Sequence, residues 1–94
     1  HSEDAPDSRL IEAEVEELVR RLINDLPERC RRVFLLNRQE GQSSREIAEA
    51  LSLSESTVRV QIKIAVDRIV AGIRTHYPDL KLVSLLLFLF TARF

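Results

Sequence analysis

The sequence predicts an all-α fold, a helical bundle of four to five helices that contains a helix-turn-helix. Three observations carry this expectation. The 94 residues include two Gly and three Pro, so few positions interrupt a helix. The apolar residues are chiefly Leu, Ile, Val and Ala, and they recur every three or four positions over long stretches. In "SSREIAEALSLSESTVRVQIKIAVDRI" (residues 43–69) that rhythm stops at "LSLS" and restarts with a different polar face. A chain of this length builds one domain around one modest core.

The elements follow in order. "HSEDAPD" is polar, contains Pro6 and reads as a disordered leader (1–7), with Asp7 or Ser8 able to cap what comes next. In "SRLIEAEVEELVRRLINDL" the residues Ile11, Val15, Leu18, Leu22 and Leu26 share one helical face. Leu26-Pro27 ends this first helix, because the residue before Pro is pushed out of the α region. Pro27 then suits the first turn of a second helix, "PERCRRVFLLNRQE", where its missing N–H costs nothing. Gly41 is a natural left-handed stop for that helix.

Ser43 and Glu46 form an S-x-x-E capping box at the start of a short third helix, about residues 44–51, with Ile47, Ala48 and Leu51 inward. Ser54 is a second N-cap, opening a fourth helix from Glu55 to about Thr75 that "HYP" ends. The break is therefore a turn of three residues, Ser52 to Ser54, with Leu53 expected to plug the corner. Residues 8–78 form the domain and 79–94 an apolar tail. From Leu82 to Phe90 every tail residue except Ser84 is apolar, a run too short to span a bilayer as a helix. Asp79 could cap a fifth helix there, while a Leu-rich run also reads as a buried strand. Such a run leaves no polar face and calls for a partner surface, in the bundle, in a second copy or in another protein.

Charge is unevenly distributed. Residues 1–28 carry nine acidic side chains against three Arg, whereas residues 29–94 carry eleven Lys or Arg against six acids. An acidic leader on a basic body points to an anion-binding body. Cys30 is the single cysteine, so no internal disulfide exists, and a reducing cytosol is the simplest setting. It reads as a small buried hydrophobe. Neither His1 nor His76 stands near a Cys or carboxylate set with ligand spacing, so no metal, cofactor or catalytic constellation is implied.

On a 3.6-residue wheel the fourth helix places Val58, Ile62, Ala65, Ile69 and Ile73 on a core face. Ser56, Arg59, Val60, Lys63 and Asp67 lie opposite, flanked by Ile64. Such a face suits a DNA major groove. Arg can donate two bonds to guanine O6 and N7, and Val or Ile can pack on a thymine methyl. Ser44 and Arg45, at the N-terminus of the third helix, suit a phosphate, which the free N–H groups and helix dipole favour.

The stretch "LPERCRRVFLLNRQEGQSSREIAEALSLSESTVRVQIKIAVDRI" (26–69) resembles region 4 of sigma-70-type RNA polymerase sigma factors, and within them the extracytoplasmic-function (ECF) group. The resemblance rests on "LPERCRRVFLL", Glu40-Gly41, "EIAEAL" and "S-x-x-TV" followed by Ala65 and Ile69. It implies a winged-helix-like helix-turn-helix domain that recognises the promoter −35 element and binds the β-flap of core RNA polymerase. By position, the implied DNA contacts are Ser44, Arg45, Ser56, Arg59, Val60, Lys63 and Ile64. At Ile64 family members often carry a basic residue. No region 2, the part that melts the −10 element, lies in these residues, so a longer factor is expected. An anti-sigma factor and a homodimer through the tail are further expected partners; a membrane is not.

Two rivals differ in class or detail. The LuxR-type helix-turn-helix shares "EIA" and "S-x-x-TV", but its long helix usually carries a His and a Lys after the "TV" where this chain has Gln61-Ile62-Lys63-Ile64-Ala65. A pure protein-interaction module would dock a partner on the acidic first helix and apolar tail without binding DNA. Steep loss of DNA affinity with salt separates the DNA readings from it.

Overall fold

The computed structural model describes residues 4–78, with side chains at Leu10 and from residue 13 onward. The tail 79–94, with its expected fifth helix, and the side chain of Ile11 lie outside the described residues. Four helices make up the described chain: α1 (Asp4–Asn24), α2 (Glu28–Arg38), α3 (Ser44–Leu51) and α4 (Glu55–His76). There is no strand among the described residues.

Local chemistry sets the helix ends. α1 begins at Asp4, four residues before the expected Ser8, so the expected leader is helical from its fourth residue. Pro6 falls in the first turn of α1, where no N–H partner is needed. The α1–α2 corner is tied by Arg31, whose guanidinium donates to the carbonyls of Asn24 (3.0 Å) and Leu26 (3.3 Å). Pro27 stands at the N-cap of α2 (φ −53°, ψ 148°), one position outside the expected first turn.

α2 stops at Arg38, short of the expected Gly41. Gly41 has φ +69° and turns the loop rather than the helix end, while Gln42 N–H reaches back to the Leu36 carbonyl at 3.1 Å. A non-Gly residue would be strained at that φ.

The capping box of α3 forms as expected. Ser43 Oγ accepts from Glu46 N–H (3.1 Å) and Ser43 N–H donates to Glu46 Oε1 (2.8 Å). The cap matters because an eight-residue helix has little stability of its own. α3 ends on Ser52 in the left-handed region (φ 58°), with Leu53 N–H bonded to the Ala48 carbonyl at 2.9 Å. This is a Schellman-type stop made with Ser in place of Gly. Two residues later Ser54 Oγ accepts from Thr57 N–H at 3.0 Å and opens α4. The helix-turn-helix is thus two caps back to back, with one left-handed residue between them.

α4 is the axis of the domain and packs on α1, α2 and α3. Its buried residues are Val58, Ala65, Ile69 and Ile73. They serve two clusters. Ala65, Ile69 and Ile73 join Leu18, Leu26, Cys30 and Phe34 between α1, α2 and α4. Val58 joins Val33, Ile47 and Ala48 between α2 and the helix-turn-helix. Each fully buried Ile, Val or Phe contributes roughly 1.5–3 kcal/mol, so the two clusters hold the recognition unit on the bundle.

Three expected core positions are half-buried instead: Leu22, Leu51 and Ile62. Leu53, the expected corner plug, is also half-buried; it packs on the smaller cluster while keeping one side in solvent.

Candidate nucleic-acid interface

The first half of α4 carries the candidate surface. Ser56, Arg59, Val60 and Lys63 recur at helical spacing, and all four are exposed. Val60 is 54% exposed, and with Leu10 it is one of two large hydrophobic side chains so exposed among the described residues. An exposed Val in the middle of a polar stripe offers a methyl contact, not a contribution to the core. From α3, Arg45 is exposed and Ser44 half-buried. Ser44 is the first residue of α3, so the free N–H groups of that turn lie beside it.

Ile64 stands apart from the other expected contacts. It is half-buried and packed on the larger cluster, because α4 leaves the helix-turn-helix here and begins to pack on α1 and α2. Asp67, placed on the same outward face by the wheel, is exposed and pairs with Lys63.

Each cation of the surface has a carboxylate one turn away. Arg59 Nη1 meets Glu55 Oε1 at 3.3 Å, Lys63 Nζ meets Asp67 Oδ2 at 2.9 Å, and Arg45 Nε meets Glu49 Oε2 at 3.9 Å. All six side chains are solvent-accessible, so each pair is worth about 0.2–1 kcal/mol and is readily exchanged for a phosphate or a base edge. The carboxylates also dilute the positive potential, so the surface favours specific contacts over general attraction to DNA. At the N-terminus of α4 the hydroxyls of Ser54, Ser56 and Thr57 form a local network, with Ser54 Oγ 3.1 Å from Ser56 Oγ and donating to Thr57 Oγ1 at 2.8 Å.

Between the α2–α3 loop and α4 lies an open cleft of about 420 Å³, lined by Asn37, Gly41, Gln42, Ser43, Ser44, Arg59 and Ile62. Asn37 Nδ2 donates to the Gln42 backbone carbonyl at 2.9 Å, which holds the loop against the end of α2. Sequence reasoning did not single out Asn37 or Gln42. Neither sits on an amphipathic face or in a motif, and only folding brings them beside Arg59.

Cys30 is buried, and its thiol donates to the Gln61 carbonyl at 3.4 Å. Burial pushes its pKa up, against the opposing pull of Arg68, so it stays a protonated packing group. Among the described residues no group of three or more His, Cys, Asp or Glu side chains could hold a metal ion, and no helix is long and apolar enough to cross a membrane.

Comparison with known families finds a match. A family model described as "Sigma-70, region 4" matches residues 16–69, which takes in the C-terminal part of α1, all of α2 and α3, and α4 through Ile69. No curated protein and no solved structure matches the chain. The matched span covers more than half of the sequence and includes both helices that present the exposed stripe, and the chain therefore belongs to the sigma-70 region 4 family, DNA-binding modules of RNA polymerase sigma factors.

Proposed function

We propose that residues 8–78 form the −35-reading domain of an ECF-type sigma factor, with α4 in the major groove and α3 against the phosphate backbone. The observation that carries this reading is the exposed stripe of Ser56, Arg59, Val60 and Lys63 on the helix that follows the turn. Arg59 reads a base edge, Val60 meets a thymine methyl, and Lys63 and Arg45 neutralise phosphates. Ser56 donates through its hydroxyl, and Ser44 sits with the free N–H groups of α3 at a phosphate. Ile64 is left out, since its side chain packs on the core.

In transcription initiation the same domain docks on the β-flap of core RNA polymerase, and the apolar tail 79–94 engages an anti-sigma factor or a second copy of the chain. Binding of this chain to a −35-like duplex and to a scrambled duplex, followed from about 50 to 200 mM salt, tests the DNA reading. Preference for the −35-like duplex, with affinity that falls as salt rises, supports it. Equal, salt-insensitive affinities would sink it. Capture of isolated β-flap by the chain tests the polymerase contact, and deletion of residues 79–94 followed by molar-mass measurement tests the tail.

A further inference from the structure

Two residues that line the cleft beside Arg59, Asn37 and Gln42, each carry a side-chain oxygen with no partner. Asn37 Oδ1 and Gln42 Oε1 are both buried and accept no hydrogen bond. Exchanging the Asn37 amide atoms does not satisfy Asn37, because Nδ2 already donates to the Gln42 backbone carbonyl and an oxygen there would face another oxygen. A buried acceptor without a donor is costly, so a donor that comes within reach of either oxygen is favoured.

Arg59 lines the same cleft and brings five N–H donors on a planar fork. Its partner Glu55 is half-buried and Arg59 exposed, and an ion pair so open to solvent holds a guanidinium weakly.

We propose that Asn37 and Gln42 are positioning residues for Arg59. Their side-chain oxygens take part of the guanidinium from Glu55 and fix it at the α2–α3 loop, leaving the outer N–H pair aimed at a base. The loop that orients α3 on the backbone thereby also sets the reading angle of α4. Two buried amide oxygens suit this task better than a carboxylate. They accept hydrogen bonds from the guanidinium without adding a negative charge beside DNA, and a fork held at one edge loses less freedom when the other edge binds.

This rests on the base-reading role of Arg59, and the experiment separates the two. Gln42→Met keeps the length of the side chain and the backbone carbonyl that Asn37 uses, but removes the acceptor. The ratio of affinities for −35-like and scrambled duplexes is measured in Gln42→Met, Arg59→Ala and the double variant. Loss of one charge-assisted hydrogen bond predicts a roughly tenfold fall in that ratio when Arg59 is present and no fall when it is Ala. An equal fall in both backgrounds, or none with Arg59 present, overturns the proposal and leaves a cleft filled by water.

A second readout needs no DNA. The Nε and Nη resonances of Arg59 should move in Gln42→Met and return in Gln42→Glu, which restores an acceptor. Should Arg59→Ala leave the affinity ratio unchanged, base reading by Arg59 is wrong, and these resonances alone decide the contact. Unmoved resonances then overturn it.

Discussion

Gly72 gives α4 the room to cross α1 beneath Leu22: a methyl group at position 72 would stand 2.8 Å from Leu22 Cδ1 and 3.1 Å from Leu22 Cγ. Gly in a helix interior costs about 0.5–1 kcal/mol relative to Ala, so close approach is the physical reason for it here. Gly72→Ala gains that propensity but overpacks the crossing, at a cost of about 1–3 kcal/mol. Leu22 is half-buried and can yield part of the way, which puts the net loss near 1 kcal/mol. Combining it with Leu22→Ala should recover the overpacking, so the double variant is more stable than the sum of the singles. Urea unfolding of the four proteins measures this coupling, and strict additivity would show that the crossing has slack.

Ser52 holds a left-handed backbone conformation that costs a non-Gly residue roughly 1–2 kcal/mol. Ser52→Gly should therefore raise stability by about 1 kcal/mol, less what the unfolded chain gains in freedom. For a domain of this size that is a rise of about 4–8 °C in Tm. Because the turn keeps its geometry, DNA affinity should stay unchanged. A lower Tm would mean that the Ser52 side chain makes a contribution its backbone geometry does not reveal.

The ion pairs on α4 predict opposite effects from neighbouring substitutions. Lys63→Ala should weaken binding to all duplexes alike and reduce the salt slope by about one. Asp67→Asn releases Lys63 from its partner at 2.9 Å and should strengthen binding at low salt, with stability changed by less than about 0.5 kcal/mol. Arg59→Ala should cost about 1–3 kcal/mol on the −35-like duplex and relax preference at one position. Anisotropy titrations at two salt concentrations separate the three. Identical slopes for wild type and both Lys63 and Asp67 variants would remove Lys63 from the phosphate contacts.

Cys30 predicts a loss of stability in alkali. Burial raises its pKa above the ordinary thiol value, so the folded thiol stays protonated where the unfolded one has ionised. The unfolded state then binds fewer protons, and stability falls as pH rises. The contribution is intact below the unfolded value of about 8.5 and is lost as pH climbs through the higher folded value. Unfolding of wild type and Cys30→Ala from pH 7 to 10 should show the difference between them shrinking above that point. Parallel curves would show that the thiol ionises without penalty.

Much of this protein is local in origin and legible in its sequence. The capping box of Ser43 and Glu46, the cap at Ser54 and the break at Leu26-Pro27 act within four residues, so the limits of α3 and the start of α4 follow from residue type alone. The exposed stripe of Ser56, Arg59, Val60 and Lys63 follows equally from helical spacing. What tertiary structure decided is how α4 divides its apolar residues. A wheel assigns a helix one inner face, but α4 is packed by three neighbours and has two. Ile62, expected in the core, is half-buried on the smaller cluster, whereas Ile64, expected at DNA, packs on the larger one. Asn37 and Gln42 carry no periodic or motif signal and gain meaning only where the end of α2 and the α2–α3 loop line one cleft with Arg59. Caps and periodicity are properties of a segment and can be read along it; burial and the loss of a hydrogen-bond partner depend on residues distant in the chain, and only packing brings those together.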